Sequence, residues 1–265
     1  MTTPSAPSDP PRRSAALGTR AFTYTDEGEG PVIVAVHGLP GSVRDYRWLG
    51  AALPRSVRFV RLDLPGFGGT PLATAPDPGL DARGAFVAAA IAALSIERCV
   101  LIGHSMGGGV ALSAAVQAPG RVAALGLLAS IGLRPHRMFR RVVGRRAIAR
   151  AVDLPLIRRP VLELLKVMFR ATGFPAQTTE AEIAHTMRCV AATDFETMRR
   201  NTGRLSVPTL FAWAGDDALI ERSVFEEHAA ALTAGPRLSW AEGGHNIQKS
   251  HAVELAEALT TLAKG

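Results

Sequence analysis

The sequence has few cysteines and no long apolar run, and each shortage excludes a class of protein. Only Cys99 and Cys189 occur among the 265 residues, too few for a secreted disulfide scaffold or a cysteine-rich metal site. The longest apolar stretches, such as residues 86–94, are far shorter than the roughly 20 residues that a membrane-spanning helix needs. The sequence therefore predicts neither a metal site nor a transmembrane segment.

The N-terminus lacks the pattern of a secretory signal. Residues 1–11 are rich in Pro, Ser and Thr and are followed by Arg12 and Arg13, but no apolar run of the signal type comes next. We expect residues 1–18 to form a flexible tail and the protein to be cytoplasmic.

Acidic residues are scarce in one part of the chain. The whole chain has a formal net charge of +7, but residues 133–204 alone have fifteen Lys or Arg against six Asp or Glu. This segment therefore has a net charge of +9, and the remainder of the chain has −2. A basic protein can bind nucleic acid or an anionic membrane. Because the excess belongs to one insert, we predict no nucleic-acid partner.

Short apolar runs bounded by Gly and Pro recur along the chain and alternate with helical patterns or loops. Unbroken apolar runs of this length are typical of strands buried on both faces of a parallel sheet. The alternation predicts an α/β fold with a mostly parallel, doubly wound sheet. The predicted strands cover residues 21–25, 32–36, 57–62, 99–102, 123–128 and 209–213.

The basic segment of residues 133–204 contains no buried-strand run. Helix-length apolar patterns occur at residues 161–170 and 180–190, and Thr178-Thr179-Glu180 supplies a helix start. We predict a helical lid here, inserted after the strand at residues 123–128, which is counted as the sixth strand of the complete sheet, over a core domain of residues 19–132 and 205–265.

The strongest chemical signal is the pentapeptide Gly103-His104-Ser105-Met106-Gly107, which follows one predicted strand and precedes a helical run. A serine at such a strand-to-helix elbow exposes its hydroxyl, and the next backbone N–H can face a developing oxyanion. Gly103 and Gly107 leave room for the sharp turn. The alternative, a serine that only caps a helix, does not explain this context. We predict that Ser105 is a nucleophile and that His104 has a structural role. Four further histidines are expected to lie in the lid or at the surface, namely His136, His185, His228 and His251.

A serine nucleophile needs a base and an orienting acid. Asp216 and Asp217 both lie in the loop after the strand at 209–213, and His245 follows the apolar residues 238–240. With the elbow, these features resemble the α/β-hydrolase family, from about Ala21 to the C-terminus. The resemblance implies a catalytic triad of Ser105, Asp217 and His245, with Asp216 as the alternative acid.

The loop His37-Gly38-Leu39-Pro40-Gly41 resembles the H-G-x-P-G loop of the same family. The resemblance implies an oxyanion hole formed by the backbone N–H groups of Leu39 and Met106, each worth about 3 kcal/mol. It also implies that His37 and Gly38 support the loop and do not react.

Serine chemistry narrows the choice of reaction. Relatives that open epoxides use an Asp nucleophile and lid tyrosines, whereas this chain has Ser105, and its only tyrosines, Tyr24 and Tyr46, lie outside the insert. We predict a serine esterase that hydrolyses small or medium carboxylic esters through an acyl-enzyme. It would act on a small-molecule substrate without any cofactor.

Several alternatives stay open. The runner-up is carbon–carbon bond hydrolysis of a ring-cleavage diketone acid, since such relatives share the triad, the lid and the H-G-x-P-G loop. Arg188 or Arg199 would then hold the substrate carboxylate. Some proteins of this fold only bind a ligand. Basic and apolar residues alternate over residues 139–146, which offers contact with a membrane surface as a weaker alternative. The oligomeric state is left open.

Overall fold

The apolar runs form a mixed eight-stranded sheet in the computed structural model, which describes residues 7–142, 144–171 and 178–265. The strands are β1 (Arg13–Leu17), β2 (Arg20–Glu27), β3 (Val32–Val36), β4 (Arg58–Leu62), β5 (Cys99–His104), β6 (Val122–Leu128), β7 (Thr209–Ala214) and β8 (Arg237–Trp240). Their order in the sheet is β1-β2-β4-β3-β5-β6-β7-β8. The pairs β1–β2 and β2–β4 are antiparallel, and all other pairs are parallel. The predicted fold class is confirmed.

The central strands owe their position to continuous apolar sequence. Every residue of β5 and β7 is buried, and β3 is exposed in part only at Val32. Helices therefore have to cover both faces of this part of the sheet. Parallel strands also bring their carboxyl ends to one edge, where the loops after β3, β5 and β7 meet.

Eleven α-helices occur in the described residues. Six belong to the core: α1 (Arg47–Ala52), α2 (Leu80–Ala93), α3 (Met106–Gln117), α9 (Arg222–Ala231), α10 (Ile247–Ser250) and α11 (Ala252–Lys264). Five lie between β6 and β7: α4 (Arg137–Arg141), α5 (Arg145–Ala151), α6 (Pro155–Ala171), α7 (Glu180–Ala192) and α8 (Phe195–Arg204). Within the described residues, each helix is too short or too polar to span a lipid bilayer.

The insert between β6 and β7 is helical and has a small apolar cluster of its own. Six buried side chains from α6, α7 and the end of α5 form it: Val152, Leu162, Leu165, Ile183, Ala184 and Met187. The cap predicted near residue 178 is Thr179, whose Oγ1 accepts from the Glu182 N–H at 3.2 Å while the Glu182 carboxylate accepts from the Thr179 N–H at 2.8 Å. The domain boundaries at residues 132/133 and 204/205 stay a prediction.

The N-terminal prediction is wrong for residues 13–17. Instead of a tail they form β1, which pairs with β2 from Leu17 opposite Arg20 to Arg13 opposite Tyr24. Gly18 closes the turn with a φ of +62°, which glycine adopts without strain. This edge strand is mostly exposed, so its sequence has no apolar run to mark it. Residues 1–6 of the predicted tail lie outside the described residues.

A second correction concerns His228, which the sequence suggests is a lid or surface residue. It lies on α9, fully buried, with its ring 5.4 Å from that of Phe211 in β7. Its Nε2 is 3.2 Å from the Thr202 hydroxyl oxygen. Burial lowers its pKa to about 4. His228 is therefore a neutral part of the core packing.

Candidate active site

Ser105 is the single residue that connects β5 to α3, and it has a backbone conformation that non-glycine residues rarely adopt. Its φ is 54° and its ψ is −124°. The Ser105 N–H donates to the Leu128 carbonyl at 3.0 Å, and the Ser105 carbonyl accepts from the Ile131 N–H at 3.2 Å. The end of β6 thus holds the turn in a conformation that would otherwise relax.

Two glycines make this elbow sterically possible, as the sequence predicts. A Cβ atom at Gly107 would lie 2.3 Å from the His37 carbonyl oxygen, and one at Gly103 would lie 2.3 Å from the Gly107 carbonyl oxygen. Gly38 also lies against the nucleophile, because a Cβ atom there would be 3.1 Å from the Ser105 Cβ. The start of α3 therefore packs directly on the loop after β3.

The structure brings Ser105, His245 and Asp217 into one hydrogen-bonded chain. The Ser105 hydroxyl donates to His245 Nε2 at 2.8 Å, and His245 Nδ1 donates to Asp217 Oδ2 at 2.7 Å. The serine lies at the elbow after β5, the aspartate in the loop after β7 and the histidine after β8. Each of the three follows the end of a parallel strand, which is why residues far apart in sequence meet here.

Of the two adjacent aspartates, Asp217 is the one that contacts the histidine. Its other oxygen, Oδ1, accepts the backbone N–H groups of Leu219 at 2.8 Å and Ile220 at 3.0 Å. Burial by itself raises the pKa of Asp217, but the hydrogen bond from His245 and the two backbone N–H groups outweigh it and lower the pKa. Asp216 is exposed and accepts the Gly244 N–H at 2.7 Å, so it braces the histidine loop instead.

Leu39 and Met106, the residues predicted to form the oxyanion hole, both line the cavity that contains Ser105. Met106 is the first residue of α3, so its N–H has no acceptor within the helix. Leu39 lies in the loop after β3, which Gly38 holds against the elbow. Their role as donors stays a prediction.

His37 and His104 occupy supporting positions, and neither replaces His245. His37 Nδ1 donates to the Gly38 carbonyl at 2.7 Å, and its Nε2 accepts the Leu64 N–H at 3.0 Å. His104 Nε2 donates to the His245 carbonyl at 2.9 Å. Burial lowers the pKa of His37 to about 4 and that of His104 to about 3. Both are neutral at physiological pH and hold backbone in place.

Ser105 and His245 open into a cavity of about 1080 Å³ that the core and the helical insert line together. The insert contributes mainly apolar side chains, among them Phe139 of α4, Leu165 and Phe169 of α6, and Met187 and Val190 of α7. The segment predicted to be a lid therefore forms part of the cavity wall. Cavities of this volume accept drug-sized molecules.

The arginines singled out from the sequence as carboxylate ligands lie elsewhere. Arg188 pairs with Asp153, and Arg199 pairs with Glu196 and donates to the Leu133 carbonyl at 2.6 Å. Neither belongs to the described residues that line the cavity. The cavity is lined instead by other arginines, namely Arg12, Arg44, Arg47 and Arg141. Arg44 and Arg47 could have been identified from the sequence as cavity residues, because they follow closely after the loop at residues 37–41.

The two cysteines are free and buried. Burial raises the pKa of the Cys99 thiol to about 12 and also raises that of Cys189. Among the described residues there is no group of three or more His, Cys, Asp or Glu side chains that could hold a metal ion.

Comparison with known families and structures gives a consistent picture. The family model of the alpha/beta hydrolase fold matches residues 31–172, which is more than half of the chain. Among solved structures, an esterase from Thermogutta terrifontis superimposes with a TM-score of 0.75 at 19% identity, over 96% of this chain and 98% of that one.

Curated relatives include several enzyme types. The dihydrolipoyllysine-residue acetyltransferase component of an acetoin cleaving system from Pseudomonas putida is 30% identical over 94% of this chain. The chain spans 68% of that protein and 63% of its counterpart from Cupriavidus necator, about two thirds of their lengths. A 2-hydroxy-6-oxo-2,4-heptadienoate hydrolase from Pseudomonas putida is 33% identical over 41% of this chain and 40% of its own length.

Proposed function

The chain belongs to the α/β-hydrolase fold family, and from this premise we propose that it is a serine hydrolase of carboxylic esters of small or medium size. The observation that carries the proposal is the continuous hydrogen-bonded chain from Ser105 through His245 to Asp217. A serine whose proton can pass to a histidine that is oriented by a carboxylate is an activated nucleophile.

In the first half of the reaction, His245 Nε2 takes the proton of Ser105 while the serine oxygen attacks the ester carbonyl carbon. The carbonyl oxygen becomes an oxyanion, and the N–H groups of Leu39 and Met106 donate to it. Asp217 stabilises the charged imidazole without taking its proton. The tetrahedral intermediate then expels the alcohol, which leaves with the proton from His245, and an ester between the acyl group and Ser105 remains.

In the second half, water attacks the acyl-enzyme. His245 takes a proton from the water, the same N–H groups receive the second oxyanion, and the carboxylic acid leaves as Ser105 regains its proton. Because the hydrogen bonds to Leu219 and Ile220 keep Asp217 ionised, the imidazole tautomer that accepts at Nε2 is maintained in both halves.

The cavity supports a substrate with an apolar acyl part. Leu165, Phe169 and Met187 of the insert offer apolar surface to the cavity, whereas Arg44 and Arg47 add charge from the core, just before and at the start of α1. An acyl chain would pack against the insert, and the leaving alcohol would face the more polar side.

The test compares wild type with Ser105→Ala on p-nitrophenyl acetate, butyrate and octanoate. We expect kcat to fall by about 10³-fold or more in the variant, with the melting temperature little changed. Ser56→Ala, which alters an exposed serine away from the cavity, is the matched control and should keep wild-type rates. If wild type hydrolyses none of the three esters faster than Ser105→Ala does, the ester proposal is wrong.

A second candidate is hydrolysis of a carbon–carbon bond in a ring-cleavage diketone acid. The partial match to the heptadienoate hydrolase favours it, and so do the arginines that line the cavity, because a guanidinium can bind a carboxylate with two hydrogen bonds. The loss of the dienoate absorbance on mixing with wild type measures this activity. Turnover of the dienoate without turnover of any ester would put this candidate first.

The same acyl-enzyme can pass its acyl group to a thiol in place of water. The match to acetyltransferase components over 94% of the chain makes this outcome worth measuring. Addition of dihydrolipoamide to the ester assay separates the two fates, because transfer yields a thioester and hydrolysis yields the free acid. We expect the acid to be the main product.

A further inference from the structure

Exposed apolar side chains concentrate on a single helix. Among the described residues, seven large apolar side chains are exposed, and six of them lie between residues 154 and 168. These six form what we call the outer face of α6: Leu154, Leu156, Ile157, Leu164, Val167 and Met168. Leu156 is 96% exposed, which is the extreme value of the set. The seventh, Val253, lies alone on α11.

The outer face is a continuous stripe. At about 100° per residue, the five members within α6 fall inside an arc of roughly 120°. Leu162 and Leu165, which are buried in the cluster of the insert, lie outside this arc on the side that faces α7. The helix therefore has buried apolar residues on one side and exposed ones on another, and Met168, at the edge of the arc, also lines the cavity of Ser105. A contiguous apolar patch of this kind marks a contact surface.

The surroundings of the outer face are cationic. Arg146 and Arg150 of α5 and Arg159 and Arg170 of α6 are not buried, and no carboxylate of the described residues lies within ion-pair distance of any of them. The whole insert has a net charge of +9. A second copy of this chain would bring an equally cationic surface to the contact, so self-association through this face is disfavoured by charge. An anionic partner fits both properties.

We propose that the outer face of α6 docks on the surface of a lipid membrane that contains anionic lipids. Leu154, Leu156 and Ile157, at the start of the helix, enter the boundary between head groups and acyl chains, and Arg159 and Arg170 contact lipid phosphates. Apolar area and attraction to anionic lipid together determine the strength of such interfacial binding. A protruding leucine with no groove around it suits a deformable surface of this kind.

Docking of this kind has a consequence for the cavity. Leu165, Met168 and Phe169 of α6 line the cavity of Ser105, so Met168 borders both the cavity and the outer face. The helix is thus a wall shared by the cavity and the lipid surface. Binding of the outer face to lipid does not depend on the reaction at Ser105.

The first test is sedimentation with vesicles of phosphatidylcholine, with or without phosphatidylglycerol, at low and high salt. We expect wild type to bind the anionic vesicles at low salt and to dissociate as salt rises. The double variant Leu156→Glu with Ile157→Glu should lower partitioning by more than about tenfold. Val253→Glu, which places the same charge on the isolated exposed residue, should bind as wild type does.

A second measurement reports the site of contact. Both native cysteines are buried, so a single new surface cysteine can be labelled selectively with an environment-sensitive dye. Dye on Leu156→Cys should shift to shorter wavelength when anionic vesicles are added, while dye on Val253→Cys should not. Circular dichroism and melting curves of each variant establish that the fold is retained.

A further pair of variants tests how much the arginines contribute to binding of anionic vesicles. Arg159→Gln with Arg170→Gln should weaken binding to anionic vesicles by about 30-fold, which is the effect of removing two charges near the lipid surface, whereas Arg98→Gln on the core should not. The proposal would be overturned if the outer-face substitutions left the binding of anionic vesicles unchanged. A wild type that binds no vesicles would also overturn it. This holds if the protein stays monomeric, and it holds equally if the protein self-associates through a contact that Leu156→Glu abolishes.

Discussion

The catalytic site of the core and the outer face of the insert differ in whether their polar and apolar groups have partners within the protein. In the core, both carboxylate oxygens of Asp217 and both ring nitrogens of His245 have a defined partner. In the insert, arginines of α5 and α6 have no carboxylate partner among the described residues, and six large apolar side chains are exposed. The core holds the catalytic side chains in one hydrogen-bonded arrangement, whereas much of the insert presents apolar and cationic side chains to the surroundings of the protein.

The two regions also differ in how they are held together. One large cluster of buried residues extends from β3, β5 and β7 to the helices on both faces of the sheet, and it includes Phe195 and Met198 of α8. The apolar cluster of α5, α6 and α7 is separate and has only six buried members. Since stability follows buried apolar area, the middle of the insert should open more easily than the sheet.

The largest expected effect tests the fixed geometry of the core. Asp217→Asn leaves an acceptor of similar shape but favours the wrong imidazole tautomer, so we expect kcat on p-nitrophenyl butyrate to fall by about 10⁴-fold. Asp216→Asn, the neighbouring exposed substitution, should cost less than about tenfold, because Asp216 contacts only the Gly244 backbone. Equal losses in the two variants would show that the chemistry does not depend on the geometry described above.

An intermediate effect measures how separate the insert is. Leu162→Ala removes a buried side chain from the small cluster and should lower the free energy of opening of α5, α6 and α7 by about 2–4 kcal/mol. Leu164→Ala, an exposed position on the same helix, should change it by less than about 0.5 kcal/mol. Amide hydrogen exchange resolves the two regions. Equal loss of protection in β3 and β5 would mean that core and insert unfold as one unit.

The smallest effect concerns the connection between the regions. Glu221, just before α9, accepts the Arg137 N–H of α4 at 2.6 Å and pairs with Arg140 at 2.7 Å. Partial burial by itself raises the pKa of Glu221, but these hydrogen bonds outweigh it and lower the pKa from 4.5 to about 2. Because the folded-state pKa is below the unfolded value, the stabilisation is complete above pH 4.5 and disappears as the pH falls to about 2.

Glu221→Gln should therefore cost about 1–2 kcal/mol of unfolding free energy at neutral pH and almost nothing near the lower pKa. Urea unfolding at several pH values measures this difference. Glu97→Gln, which breaks an exposed pair with Arg121, is the control and should cost less than about 1 kcal/mol. A Glu221→Gln deficit that stays constant with pH would contradict the proposed link.

The core could be predicted from sequence because its constraints are local. The elbow needs small residues on both sides of Ser105, and the partners of the serine follow the ends of apolar strands. Position in the sequence therefore indicated where the acid and the base lie, and the family resemblance identified Asp217 and His245. The choice between Asp216 and Asp217 rested on resemblance, and the structure shows Asp217 at the histidine. The predicted strands differ from the observed ones by at most two residues at each end.

Features that depend on tertiary packing could not be predicted in the same way. β1 exists because it pairs with β2, and His228 is buried because α9 packs on β7. Arg83 of α2 is buried, and none of its three guanidinium nitrogens has a hydrogen-bond partner among the described residues. Sequence patterns describe a helix face, but they do not say which neighbour covers it.

The point at which the insert leaves the sheet has a consequence for the evolution of the chain. β6 and β7 are adjacent parallel strands paired from Leu125 opposite Thr209 to Leu128 opposite Ala212, and the insert departs from one and returns to the other. Its length and sequence between α5 and α7 can therefore change without a shift in the register of β6 and β7. Selection can replace one set of helices by another as an exchangeable cassette, so that new specificities are acquired while the inherited chemistry stays intact.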